Sequence, residues 1–308
     1  IKTKDAAIQT DPNRLQEMMQ GLEYESYQKS IERYEKQMKK QESPFFLNIW
    51  FHEPHRKMAA PDECISPYLT EGDTGVGRDS SALYSGTIDN TDRAIKKLLQ
   101  HLEEQNLMED TLIVYSSDNG SFRSDRVGVL KGKKGSNYEG GLRVPGIFCW
   151  PAKIRSGIQI EEPAGLVDLM ATICDFVGYK MPEEIHLDGS SLQPLLTGAP
   201  QNFKRLQPFF WHFAESKQIV GIRDGNYSLL AYPDYEFSKD EKFNEAWIPT
   251  IKQGGYRDFE LYDLDNDPMQ KDDLAKQRPE LLLSLKNKLL KINASVMAEG
   301  SDWHLDSQ

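Results

Sequence analysis

The stretch Thr111-Leu112-Ile113-Val114-Tyr115-Ser116-Ser117-Asp118-Asn119-Gly120 runs from a short apolar, β-branched segment straight into a polar turn. Such a run, bounded by turn residues, is the pattern of a strand buried within a sheet. Ahead of it, Leu83 to Leu102 carries Tyr84, Ile88, Ile95, Leu98, Leu99 and Leu102 at helical spacing, which predicts a crossover helix. Further upstream, Phe45-Phe46-Leu47-Asn48-Ile49-Trp50-Phe51 follows Pro44 as a second strand candidate and ends in His52-Glu53-Pro54-His55. Downstream, Gly146-Ile147-Phe148-Cys149-Trp150 follows a glycine-rich loop, with Leu166, Leu169, Met170, Ile173 and Val177 marking a helix behind it. Strand, helix, strand, loop, strand, helix is the order of an α/β fold with a mostly parallel sheet sandwiched by helices.

At the two ends the pattern changes. Residues 12–43 are polar with a stripe through Leu15, Met18, Leu22, Tyr27, Ile31, Tyr34 and Met38, which predicts a solvated helix with one packed face. After residue 200 come short alternating segments, Ile219–Arg223, Tyr227–Tyr232 and Glu260–Leu264, separated by Asp-Gly and Asn-Asp-Pro turns. These read as antiparallel strands, and Pro279 then opens an amphipathic helix through Leu281, Leu282, Leu285, Leu289 and Ile292. Residues 1–200 are therefore expected in the α/β core and residues 201–308 in a small α+β subdomain.

Composition narrows the functional classes. The 308 residues hold 37 Lys+Arg against 48 Asp+Glu, a net charge of −11, so a basic nucleic-acid binder is excluded on bulk charge. Cys64, Cys149 and Cys174 are odd in number and lack CxxC spacing, so neither a disulfide framework nor a structural zinc site is expected. No apolar run approaches the roughly 18 residues of a membrane span. Residue 1 is Ile1, so the chain is expected to be cut from a longer one.

In open parallel sheets, ligands bind beyond the carboxyl ends of the strands. The runs ending in His52/His55 and in Asp118/Asn119 would open onto one such edge. The loop Lys131-Gly132-Lys133-Lys134-Gly135-Ser136-Asn137-Tyr138-Glu139-Gly140-Gly141 is close enough in sequence to close over it. A carboxylate, an amide oxygen, an imidazole and an ammonium would then share a cleft suited to an anionic substrate held against a hard cation. Each cluster also has a plainer reading: Asp-Asn-Gly as a turn, His55 as a surface loop histidine, and the lysines as a solvated loop.

The order of these elements is what resembles the type I sulfatases of the alkaline phosphatase superfamily. The likeness runs from about Pro44 onward through Pro54-His55, Tyr84 to Ile95, Ser117-Asp118-Asn119-Gly120, Lys134 to Pro145, Leu187-Asp188-Gly189-Ser190-Ser191-Leu192, and Glu260-Leu261-Tyr262-Asp263-Leu264 with Asp267-Pro268. The Gly-Gly-x-Arg-Val-Pro element is the specific one, and Lys131 to Ser136 is most similar to bacterial N-acetylgalactosamine-6-sulfatase and polysaccharide-sulfatase types. The resemblance implies an alkaline phosphatase-like fold and calcium-dependent hydrolysis of sulfate esters on a sulfated carbohydrate. It implies Asp118 and Asn119 as calcium ligands, Lys134 on the sulfate and His55 as the acid for the leaving alcohol. Glu139, Gly140, Gly141 and Arg143 would be scaffold, with a buried Arg–Glu pair fixing the loop. His212 and Arg223, near the aromatic run Phe209 to Phe213, are candidate substrate contacts, with core packing as the other reading of that run.

The family's Cys/Ser-x-Pro/Ala-x-Arg signature, the source of its formylglycine nucleophile, is absent from these residues. The early Asp-Asp metal pair is missing as well. The chain is therefore expected to be the C-terminal portion of a sulfatase, inactive alone, whose partner is the N-terminal portion of the same enzyme. The family likeness further implies a bacterial periplasmic or secreted protein with no membrane anchor. Two rivals remain at this point: a phosphodiesterase or phosphatase of the same superfamily, and a non-catalytic carbohydrate-binding fragment.

Overall fold

The computed structural model describes residues 44–55, 57–236 and 245–300. The helix expected over residues 12–43, and Arg56, lie outside them. The chain divides into two compact units between Thr111 and Leu112.

In the first unit the run Phe45–Phe51 has no regular secondary structure and pairs with no strand among the described residues. Phe46 and Trp50 are 83% and 85% exposed. The expected buried strand is therefore not formed here, because a strand's identity rests on a partner ladder and the apolar run has none to join. A short helix, α1 (Asp62–Ile65), precedes the long helix α2 (Ser81–Glu104). Ser80 starts α2 by accepting the Leu83 N–H at 2.9 Å, satisfying one of its orphan donors. The Asp73 carboxylate accepts the N–H groups of Ala82 and Gly75. Its hydrogen bonds, first to Ser80 and then to these amides, hold its pKa down to about 2. The buried face of α2 runs through Ala82, Leu83, Gly86, Thr87, Asn90, Thr91, His101 and Leu102. Of the expected stripe Leu102 is buried, Tyr84, Ile95, Leu98 and Leu99 are half-buried and Ile88 is exposed, and the small residues of the first turns let α1 approach closely.

The second unit begins with strand β1 (Ile113–Ser116), followed by the one-turn helix α3 (Glu139–Leu142) and strand β2 (Gly146–Cys149). The two strands are antiparallel, Ile113 opposite Cys149 and Ser116 opposite Gly146. The expected parallel pairing is thus not found between them. The reason lies in the connection: residues 117–145 hold no crossover helix, so the chain re-enters at the end it left. Helices α4 (Asp168–Val177) and α5 (Gln193–Leu196) cover the pair. Phe176, Leu192, Leu195, Leu196 and Ile154 form their core with Leu112, Phe148 and Trp150 packed against it. The fully buried Asp168 binds Arg205 at 3.0 and 3.1 Å and accepts the Ser190 N–H at 2.8 Å, which fixes the Leu187–Leu192 segment against α4.

The chain continues through strands β3 (Phe209–His212), β4 (Val220–Asp224) and β5 (Tyr227–Pro233), helix α6 (Ile248–Gln253), strand β6 (Tyr256–Asp263) and helix α7 (Pro279–Glu299). The four strands form an antiparallel sheet in the order β3-β4-β5-β6. One face, through Val220, Ile222, Leu229, Ala231 and Leu261, packs on Leu285 and Leu289 of α7. The other face, through Leu230 and Tyr262, packs on Tyr138 of the glycine-rich loop. The sheet is therefore a platform: helix beneath, loop above.

Candidate active site

The loop between Lys131 and Gly141 is closed by its own backbone. The Gly140 N–H donates to the Lys131 carbonyl at 2.8 Å, and the Ser136 hydroxyl both donates to the Lys133 carbonyl and accepts the Lys133 N–H. Lys133 and Lys134 stand exposed at the tip. Beside this loop lies the turn that follows β1. The Gly120 N–H donates to the Gly141 carbonyl and the Lys134 N–H to the Ser121 carbonyl, both at 2.9 Å. These two bonds stitch the Asp118-Asn119 turn to the Lys134 loop. Glycine is required at the seam, since a Cβ on Gly120 would lie 2.1 Å from the Gly140 carbonyl oxygen, and one on Gly140 would lie 2.5 Å from that of Gly132.

Asp118 is exposed and Asn119 half-buried. The Ser117 hydroxyl reaches Asp118 Oδ1 and the Asn119 carbonyl at 3.4 and 3.3 Å. Neither Asp118 nor Lys134 has an ion-pair partner among the described residues, so two adjoining loops carry a carboxylate and an ammonium outside any ion pair, with an amide between them in sequence. Oxygen donors of this kind suit a hard cation, although two donors are fewer than such an ion takes. No group of three His, Cys, Asp or Glu side chains able to hold a metal exists among the described residues. His55 belongs to the first unit, exposed, in a turn where its N–H donates to the His52 carbonyl and its ring meets the His52 ring edge-on at 5.6 Å.

The remaining candidates are placed differently. Arg223 stands on the loop-facing side of the sheet, where its guanidinium meets Glu139 Oε2 at 3.3 Å and the Gly225 carbonyl at 3.2 Å. The Arg–Glu pair that fixes the loop is therefore Glu139–Arg223, while Arg143 is exposed. His212 lies opposite Val220 in the β3–β4 ladder, so it shares the face that packs on α7 and not the face that bears the loop. Burial pushes its pKa down. Of the aromatic run, Phe209 and Trp211 stack on the loop-facing side with centroids 5.8 Å apart, and Arg205 lies 4.1 Å over Phe209.

A polar network beneath the loop was not anticipated. Glu260 accepts the hydroxyls of Tyr138 (2.7 Å), Tyr232 (2.8 Å) and Tyr262 (3.0 Å). Gln218 donates to Tyr138 and Tyr232. Lys131 donates to the Tyr262 hydroxyl at 3.0 Å and to the Gln270 carbonyl at 3.1 Å, with its ammonium over the Tyr138 ring. Burial first, then Glu260, raises the pKa of Tyr138 and of Tyr262. The sequence offers only the alternation Glu260-Leu261-Tyr262, which marks two faces without saying what covers the polar one.

The sulfatase family profile matches residues 4–179, and the N-sulphoglucosamine sulphohydrolase C-terminal profile matches residues 133–244. The chain belongs to the sulfatase family. It is 28% identical over 257 residues to human arylsulfatase A, covering 80% of this chain and 48% of that one. To a sulfatase of Formosa agariphila it is 27% identical over 275 residues, covering 83% and 47%. The chain thus spans about half the length of these relatives. Among solved structures, Ps i-CgsB in complex with k-i-k-neocarrahexaose superposes with a TM-score of 0.68 at 25% identity, over 92% of this chain and 59% of that one. The sulfatase chain accordingly has the alkaline phosphatase-like α/β fold. Among its described residues no helix is long and apolar enough to cross a membrane.

Proposed function

We propose that the protein hydrolyses sulfate esters on a sulfated carbohydrate. The observation that carries this reading is the double backbone bond joining the Asp118-Asn119 turn to the Lys134 loop, in a chain of the sulfatase family. Lys134 offers its ammonium to the sulfate oxygens, where fixed positive charge counts most as negative charge builds. His55 holds the proton for the leaving alcohol, as general acid. Asp118 and Asn119 would supply two of the oxygen donors for a calcium ion, whose positive charge would serve the sulfate chemistry. The formylglycine nucleophile lies outside these residues, so this chain alone is inactive and works with the N-terminal portion of the same enzyme. Residues 1–200 then form part of the catalytic core, residues 201–308 support it, and the site of action is the bacterial periplasm or exterior.

Ps i-CgsB was crystallised in complex with k-i-k-neocarrahexaose, which supports a carbohydrate as substrate. The test is the enzyme spanning the full family length, assayed on a panel of sulfated oligosaccharides. Lys134→Ala is expected to lower kcat about 10²–10³-fold while the circular dichroism and melting temperature stay unchanged, since Lys134 is exposed. Full turnover in that variant would remove Lys134 from the site. Elemental analysis giving two zinc or manganese ions per site, in place of one calcium, would favour the phosphoesterase alternative.

A further inference from the structure

Lys134 sits at the tip of a loop whose two feet are held by one residue from the far end of the chain. At one foot the Lys131 ammonium donates to the Gln270 carbonyl, and at the other the Glu139 N–H donates to Gln270 Oε1 at 2.8 Å. Gln270 is fully buried and takes left-handed backbone geometry at φ 53°. It is anchored in turn by its own N–H to the Asp267 carbonyl at 3.1 Å. Lys131 is held a second time by the Tyr262 hydroxyl and the flanking faces of Tyr138 and Tyr262. Nothing in this clamp touches the exposed tip, yet it sets where the tip projects.

We propose that Lys131 and Gln270 are positioning residues that set the Lys134 ammonium from beneath, an inference that rests on the sulfatase reading above. Directed bonds at both feet leave the loop one arrangement, and a charge-stabilising group displaced by an ångström loses about 10²-fold in rate. Lys131 therefore acts through Lys134.

The experiment compares Lys131→Met, Lys131→Arg and Lys134→Ala in the enzyme spanning the full family length, using an active sulfated substrate. Lys131→Met is expected to lower kcat about 10²-fold with little change in KM, and Lys131→Arg, which keeps two N–H donors, to restore most of it. In Lys131→Met the amides of Gly120 and Lys134, which bind across the seam, should also exchange with solvent faster. A severe Lys134→Ala beside a fully active Lys131→Met, or unchanged exchange at both amides, overturns the positioning role alone. A silent Lys134→Ala overturns the reading of the site. If Lys131→Met does not fold, Gln270→Leu removes the acceptor for Glu139 at similar volume, and full activity in that variant is equally fatal.

Discussion

The two faces of the β3-β4-β5-β6 sheet are built from alternate residues of the same strands, yet they do different work. Against Leu289 of α7 lie Leu229 and Leu261, all three fully buried. Against the glycine-rich loop lie Glu260, Tyr262 and Arg223, each engaged by a named partner. The apolar face stabilises by area removed from water, a force without direction. The polar face gains less per contact, because each hydrogen bond replaces one to water, but it fixes where the loop sits. Fold stability and loop geometry are thereby separated onto opposite sides of one sheet.

The sharpest way to break this division is on the apolar side. Leu289→Ala removes a fully buried side chain from the α7 interface and is expected to cost about 2–5 kcal/mol in chemical denaturation. If the faces are separate, the surviving folded protein keeps normal amide exchange at Gly120 and Lys134. Faster exchange there would show that the α7 side also governs the loop.

The next effect falls on the polar side. Arg223→Met strands Glu139, whose side chain is only 6% exposed, and an unpaired buried carboxylate costs about 3 kcal/mol or more. Some of that returns as solvent reaches the site through the gap, so a loss of about 2 kcal/mol in denaturation is expected. Here exchange at the loop amides should rise together with the loss of stability. A loss below about 0.5 kcal/mol would mark the pair as a surface contact and not an anchor.

The division also explains what the sequence made legible. The helices Ser81–Glu104 and Pro279–Glu299 and the three later strands follow from local periodicity. The adjacency of the Asp118 turn and the Lys134 loop was expected from their nearness in sequence. The partner of Glu139 did not follow, because Arg223 lies 84 residues away and an arginine beside an aromatic run reads equally well as a ligand contact. Phe45–Phe51 misled for a related reason: composition states that a segment suits a strand, while pairing depends on what lies beside it. The network around Glu260 and Tyr262 did not follow either, since alternation cannot distinguish water from a ring of hydroxyls.

The smallest effect is the most specific to the polar face. Tyr262 is buried beside Glu260, which raises its pKa, burial being the larger cause. The folded state then keeps a proton that the unfolded chain releases above the ordinary tyrosine value of about 10. Its contribution is complete below that pH and is lost as pH rises, by about 1.4 kcal/mol per pH unit for one such group. Tyr262→Phe should therefore make stability above pH 10 decline less steeply by about that amount, measured as denaturation midpoints across an alkaline series. Leu289→Ala should shift every midpoint down and leave the steepness alone. Equal steepness in wild type and Tyr262→Phe would mean that the hydroxyl titrates as freely in the folded protein as in the unfolded chain, and the polar face would lose its claim to be a dry, directed network.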